Sequence, residues 1–287
     1  MNQRDVMNYD VLIVGGGPAG LSAAIKIKQL ATIEKKEISV CLVEKGVEIG
    51  SHILSGAVID PIALTELIPN WKDKGAPLKT KVKKDVFSFF SKNTSHVIPQ
   101  FLMPPMMSNK NNYIVSLGEL CGWLSKEAEN LGVEIYPGFS AQEPIFNDKN
   151  QLIGIVTGDM GRDAEDNETA NFVQGIEIHA KYSLIAEGTR GSITKKIEQK
   201  LLLREKSDPQ KYGLGFKEVW RLKKGHHNSG QIEHSLGWPL ENDTGGGSFI
   251  YHYDEDLVSL GFVVHLDYSS PHLSPHSEFQ ALKTDPK

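Results

Sequence analysis

Cysteine is scarce in this chain: 287 residues contain only Cys41 and Cys121. That excludes a disulfide framework, and it leaves too few thiolates for an ordinary iron–sulfur cluster, which takes four. Both fall on apolar faces of predicted elements and read as buried thiols in a reducing compartment. No apolar run is long enough to span a bilayer. Residues 1–8 are short, polar and lead straight into a strand, so no secretory leader is expected. Positive charge is not in excess either. A net charge of −5 without a basic cluster argues against a nucleic-acid partner. His226, His227, His234, His252, His265, His272 and His276 show no HExxH or comparable spacing, so they read as solvated residues rather than metal ligands. With 39% hydrophobic and 23% charged residues, the composition is that of a globular protein with core enough for one large domain or two modest ones.

Against these absences stands one dense motif. Val11 to Val14 is an apolar run with the character of a buried parallel strand, and it meets Gly15-Gly16-Gly17-Pro18-Ala19-Gly20. Helical spacing follows in Leu21, Ala24, Ile25 and Lys28. In such a turn Gly15 permits the tight exit from the strand. Gly17 lets backbone approach a pyrophosphate, and Gly20 lets the helix press on the sheet. The pyrophosphate sits on the free N–H groups and positive dipole end of that helix. Ser39 to Val43 reads as the next parallel strand and ends in Glu44, a carboxylate placed to accept from both ribose hydroxyls of an adenosine. Spacing alone does not separate FAD from NAD. The Pro18-Ala19 and Glu44-Lys45 pairs tilt the choice to FAD through their resemblance to flavoproteins.

Further along, Pro61 to Ile68 reads as a short amphipathic helix with Asp60 as its N-cap. Val97 to Met107 carries large apolar side chains among prolines that forbid a regular helix, which puts them on a loop. Such a loop either lines an apolar pocket, touches lipid or is a buried connection. Tyr113 to Val115 is a predicted strand. Leu117 to Leu131 is a predicted helix closed by Gly132, and Val133 to Tyr136 is another strand. Residues 152–158 and 172–180 read as strands of a small antiparallel unit joined by a polar loop. Ser183 to Ala186 reads as a strand ending in Ala186-Glu187-Gly188. That ending is either a plain turn or a second approach to the dinucleotide. Beyond Tyr212 the pattern turns antiparallel: Gly215 to Leu222, Gln231 to Leu236, Ser248 to Tyr253 and Leu257 to Leu266, with Asp254-Glu255-Asp256 as a hairpin turn. Gly245-Gly246-Gly247 is a flexible loop or a place where a ligand meets backbone.

The chain resembles the N-terminal half of the electron transfer flavoprotein–ubiquinone oxidoreductase family. The resemblance is carried by Gly15 to Ala24, Cys41 to Lys45, Ile49 to Ala57, Trp71 to Pro77 and Asn112 to Val115. It continues through Gly132 to Gly138, Ala186 to Gly188, Gly237 to Leu240, Gly246 to His252 and Tyr268 to Pro275. It implies an α/β fold: an FAD-binding Rossmann-like parallel sheet over 1–210, then an antiparallel quinone-binding region over 211–287. A membrane-contacting segment at about 49–107 is expected as an insertion in the first domain, with a helix from about Ile49 to Ile68. It also implies FAD held by Gly15, Gly16, Gly17, Pro18, Ala19, Gly20 and Glu44, with Ser55 and Gly56 near the ring and Gly188 near the dinucleotide. Ubiquinone would meet Gly246 and Gly247.

The implied partners are reduced electron transfer flavoprotein as donor, ubiquinone as acceptor, and a membrane surface bound peripherally. The expected place is the cytoplasmic face of a bacterial inner membrane, or the mitochondrial inner membrane. No proton-transferring catalytic side chain is required for electron transfer. Two departures stand out. Gly245 replaces the family's aromatic residue, and the ligands of the family's [4Fe–4S] domain have no counterpart before Lys287, so a separate C-terminal half is an expected partner. The alternatives are a related FAD-dependent reductase or monooxygenase, or a fragment without activity.

Overall fold

A computed structural model describes residues 4–54, 56–163, 165, 167–240 and 243–284. Among them are seventeen strands (β1–β17) and five α-helices (α1–α5), numbered along the chain and divided between two compact units.

The first unit comprises Met1–Ile53 and Gly118–Ser207. Its central strand is β1 (Val6–Val14), whose last residues, Leu12 and Ile13 included, are fully buried. Burial on both faces explains the unbroken apolar run. On one side of β1 lie β2 (Val40–Glu44) and then β8 (Glu134–Pro137), and on the other lies β13 (Glu177–Ile185), all parallel. Two antiparallel strands, β10 (Leu152–Thr157) and β9 (Ala141–Phe146), extend the sheet beyond β13. Helix α1 (Pro18–Ile33) follows β1 and buries Leu21, Ala24 and Ile25. Helices α3 (Leu117–Asn130) and α4 (Ser192–Leu201) complete the unit, α4 placing Ile193 and Ile197 in the core. The two strands expected at 152–158 and 172–180 do pair antiparallel, as β10 with β13, but inside the main sheet rather than as a separate small unit. The second is β13, which runs on through Ile185 as a member of the main sheet. The stretch from Met160 to Asn171, expected as a loop, contains the hairpin of β11 (Met160–Arg162) and β12 (Glu168–Val173). Polar side chains hid it, because neither of its faces needs burial.

The second unit comprises Leu54–Leu117 and Asp208–Lys287. Its main sheet runs β14 (Gly213–Arg221), β17 (Leu257–His265), β16 (Gly246–Tyr253), β15 (Gln231–Gly237), β5 (Lys84–Phe90) and β6 (Ser95–Val97). The segment expected as an insertion in the first domain therefore packs largely with the second unit. The cause is a parallel pairing of β5 with β15 over seven residue pairs, Lys84 with Gln231 through Phe90 with Gly237. A three-stranded sheet of β3 (Ala57–Ile59), β7 (Tyr113–Val115) and β4 (Thr80–Lys81) contributes Ile114 to a cluster with Ile232, Tyr251 and Tyr253. Helix α5 (Pro275–Lys283) covers the opposite face through Phe279, packed on Phe216 and Phe262. The helix expected from Ile49 to Ile68 is only α2 (Ile62–Leu67), where the Asp60 carboxylate accepts from the Ile62 N–H at 3.0 Å. The proline-rich stretch forms two 3₁₀ turns, Gln100–Leu102 and Pro105–Met107, with Phe101 84% and Met106 91% exposed. No helix among the described residues is long and apolar enough to cross a membrane.

Candidate functional site

A cavity of about 480 Å³ opens in the first unit at the C-terminal ends of β1 and β2. This is where an open parallel sheet holds its ligands. Gly15, Gly16, Gly17, Pro18, Ala19, Glu44 and Gly188 all line it. Gly20 does not; it sits one turn into α1, where a Cβ would overlap the Gly15 carbonyl and lie 3.2 Å from Ile13 Cγ2. The turn itself needs glycine at Gly15, whose φ is +110° and whose absent side chain leaves room for the Ala186 carbonyl. At Gly17 a Cβ would meet nothing within 4 Å: the missing side chain leaves open space rather than room for a neighbour.

Two helix N-termini border this cavity, and they differ. At α4 the Glu187 carboxylate accepts from the N–H groups of Ser192, Ile193 and Thr194, and from the Thr194 hydroxyl. That first turn is already satisfied by an anion of the protein's own. At α1 the N-cap is Gly17, no side chain caps the helix, and no acidic residue lies in its first turn. The orphan N–H groups and the positive dipole end there suit a diphosphate. Glu187 thus serves α4, while Gly188, with φ +79° and open space where its Cβ would be, lines the cavity.

Glu44 is held for a task at its own end. Its Oε2 accepts from the Gly16 N–H at 2.8 Å and its Oε1 from the Gly46 N–H at 2.7 Å. Fixing the carboxylate by two backbone donors leaves lone pairs on both oxygens for ribose hydroxyls. Gly16 is forced to be small by the same arrangement, since a Cβ there would stand 2.6 Å from Ile49 Cδ1. Together the uncapped helix start, the open glycines and the pinned acid fit the adenosine diphosphate half of FAD. Sequence reasoning missed Phe139, Ser140 and Arg190, which also line the cavity. The Gly138 N–H donating to the Gly46 carbonyl at 2.7 Å draws Phe139 and Ser140 in, a long-range contact without a local signal. Arg190 was visible as the cation of the Gly188-to-Gly191 turn.

The remaining predicted residues fall in the second unit. Ser55 lies outside the described residues. Gly56 has φ +88°, a Cβ would overlap Ser259, and its carbonyl accepts from Lys217 Nζ at 3.1 Å. Gly246 and Gly247 are not a flexible loop but the first residues of β16, paired with Val264 and Val263. A Cβ on Gly246 would overlap the Val263 carbonyl, and one on Gly247 would stand 2.5 Å from the Ser235 carbonyl. A second cavity of about 620 Å³ lies under α5, lined by Ser235, Ser248, Ile250, Leu260 and Lys283 among others, without either glycine.

The histidines need one correction. His234 is not simply solvated: its Nε2 lies 2.9 Å from the Tyr251 hydroxyl, and burial pushes its pKa down. Burial likewise lowers His252. No cluster of three or more metal-ligating side chains occurs among the described residues. Both cysteines are buried, which pushes the thiols up to about 12 for Cys41 and about 11 for Cys121, so neither is a reactive thiolate at neutral pH.

Comparison with known proteins agrees with this geometry. Residues 10–65 match the model of an FAD binding domain, and residues 212–287 that of the ubiquinone-binding region of electron transfer flavoprotein–ubiquinone oxidoreductases. The mitochondrial electron transfer flavoprotein–ubiquinone oxidoreductase of Dictyostelium discoideum is 51% identical over 283 residues, 99% of this chain and 46% of that protein. The Pseudomonas aeruginosa enzyme of the same name is 50% identical over 286 residues, 99% of this chain and 52% of that protein. Among solved structures, a geranylgeranyl bacteriochlorophyll reductase-like protein from Thermoplasma acidophilum superposes with a TM-score of 0.68 at 15% identity, covering 98% of this chain and 63% of that one. At that identity the likeness concerns the fold. The chain spans about half the length of the curated relatives it matches, and over that length it is similar to electron transfer flavoprotein–ubiquinone oxidoreductases.

Proposed function

We propose that this chain provides the FAD-holding and quinone-binding part of an oxidoreductase that passes electrons from reduced electron transfer flavoprotein to ubiquinone. The observation that carries the reading is the pair of donors and acceptors in one cavity: the uncapped start of α1 and the Glu44 carboxylate pinned by Gly16 and Gly46. In this role Gly15, Gly16, Gly17, Pro18, Ala19 and Gly20 form the pyrophosphate turn, Glu44 holds the ribose, and Gly188 lies along the dinucleotide. Ser55 and Gly56 are assigned to the ring, and Gly246 and Gly247 to the quinone. When bound, FAD supplies the redox chemistry; the protein supplies position, exclusion of water and electrostatics.

The exposed apolar turns at Phe101, Leu102 and Met106 support peripheral contact with a membrane, where a long-tailed quinone is dissolved. The location follows from that acceptor: a bacterial inner membrane on its cytoplasmic face, or the mitochondrial inner membrane. The family's [4Fe–4S] cluster belongs to the same reading, with its ligands outside these residues, which hold only two cysteines.

The visible spectrum of the chain purified in mild detergent is the test. About one FAD per chain is expected; a colourless, folded protein contradicts the assignment. Quinone reduction is then measured with reduced electron transfer flavoprotein as donor, with and without a supplied cluster-bearing partner. A flavin-loaded chain inert towards quinone in both settings would sink the quinone-reducing part of the reading.

A further inference from the structure

Lys217 and Glu218 are neighbours on β14 with opposite fates. Side chains alternate faces along a strand. Glu218 points towards α5, where its carboxylate accepts from Lys283 Nζ at 2.9 Å and from Trp220 Nε1 at 2.8 Å. Lys217 points to the other face, beside Gly261 of β17 and, one strand further, Phe249 of β16. Its ammonium donates to the Gly56 carbonyl at 3.1 Å and stands 5.6 Å from the centre of the Phe249 ring. Among the described residues no carboxylate pairs with it. Burial accordingly depresses its pKa. A partly buried cation whose protein partners are one carbonyl and one aromatic face is under-compensated, and an ammonium carries three donors. The floor beside it is unusual too. A Cβ on Gly261 would overlap the end of the Phe249 ring, and Tyr251 stacks on Phe249 with centroids 4.4 Å apart. Cation and aromatic ring thus stand together on one face of the sheet, and a flat ring bearing oxygen reaching that face would meet both.

We propose that Lys217 is the anion-stabilising residue of the quinone-binding region, its ammonium facing a head-group oxygen that gains negative charge on reduction. The inference rests on the reading that residues 212–287 bind a quinone, and it adds the residue that makes such a site favour the reduced ligand. Making the quinol takes two electrons, from a reduced flavin, and two protons, from water. A fixed cation lowers the cost of the charge that accumulates before the protons arrive. Phe249 and Gly56 position the ammonium rather than touch the reacting atoms.

The test needs no turnover. Binding of two flat probes to the full chain is followed by quenching of its fluorescence at pH 8: 2-hydroxy-1,4-naphthoquinone, an anion, and 2-methyl-1,4-naphthoquinone, which is neutral. The unsubstituted chain is expected to prefer the anion by about tenfold, or about 1.4 kcal/mol. Lys217→Gln keeps an N–H donor for the Gly56 carbonyl and removes only the charge, so it should lose that preference while holding the neutral probe as before. Lys217→Arg should retain it. Equal affinity of the unsubstituted chain for both probes, or a preference that survives in Lys217→Gln, overturns the inference and leaves the quinone site standing. Failure of both probes to bind the unsubstituted, folded chain overturns the quinone-binding reading itself, and the role of Lys217 with it.

Discussion

Two cavity glycines of the first unit contrast with three predicted site glycines of the second. In the first unit Gly17 and Gly188 face open space, with no heavy atom within 4 Å of where a Cβ would be, and both line the cavity at the strand ends. In the second, Gly56, Gly246 and Gly247 are small because other protein atoms need the room: Ser259, the Val263 carbonyl and the Ser235 carbonyl. One set borders open space, the other makes room for the chain itself. A short glycine run in a sequence does not reveal which kind it is. Gly15 and Gly20 show the second kind within the first motif, since each clears a backbone carbonyl.

Substitution breaks this comparison most sharply at Gly20. Gly20→Ala drives a Cβ into the Gly15 carbonyl, which neither helix nor turn can yield cheaply, and should destabilise the first unit by about 3 kcal/mol or more in urea unfolding. Gly247→Ala comes next: at 2.5 Å from the Ser235 carbonyl it should cost about 1–3 kcal/mol, read from the loss of β-sheet signal on heating. The contrasting case is Gly17→Ala. It should leave stability within about 1 kcal/mol, because its backbone is extended at φ −81° and nothing is displaced. Its FAD affinity, measured by flavin fluorescence on titration, should nevertheless fall about tenfold, or about 1.4 kcal/mol. An unchanged affinity would remove Gly17 from the pyrophosphate turn.

Glu44→Gln sharpens the picture with a smaller effect. The amide keeps one acceptor for Gly16 or Gly46 but sets an N–H against the other, so FAD should bind several-fold more weakly, about 1 kcal/mol. The smallest effect concerns pH. Asp159 accepts from the Gly175 N–H and pairs with Arg4 at 2.9 Å, which holds its carboxyl down at about 2. A carboxyl whose folded pKa is depressed contributes stability above its unfolded value near 3.8, and that contribution is lost as pH falls from about 4 towards 2. Asp159→Asn should therefore flatten the loss of stability between pH 4 and pH 2 in urea titrations; an unaltered slope would show that this carboxyl contributes nothing there.

The legible parts of the fold are those whose signal is local. Val11 to Val14, the glycine turn and the start of α1 are adjacent in sequence, and the apolar run can only be a strand buried on both faces. The long antiparallel strands β14 to β17 were equally visible, because alternation and the Asp254-Glu255-Asp256 turn are short-range. Two helices were overlooked although their signals were present: Ile193 and Ile197 at helical spacing in α4, and Ser274-Pro275 at the start of α5, where Ser274 Oγ accepts from the Ser277 N–H at 3.4 Å. Other features had no local mark. His234 looked solvated because its partner Tyr251 is 17 residues away across a strand pair. The longer helix from about Ile49 rested on the family resemblance, whereas periodicity marks only Pro61 to Ile68; Ile49 itself packs where a Gly16 side chain would be.

By itself the sequence determined that a strand, a glycine turn and a helix would present unpaired N–H groups beside an acid, because backbone sterics and hydrogen bonding act within a few residues. It also determined that the later part of the chain would be antiparallel sheet. Only the tertiary structure decided that β5 joins a sheet whose next strand, β15, lies more than 140 residues further on. The tertiary structure also decided that Lys217 faces Gly56 and Phe249 while its neighbour Glu218 takes Lys283. Those outcomes depend on which distant groups compete for one partner, and that competition is settled by packing.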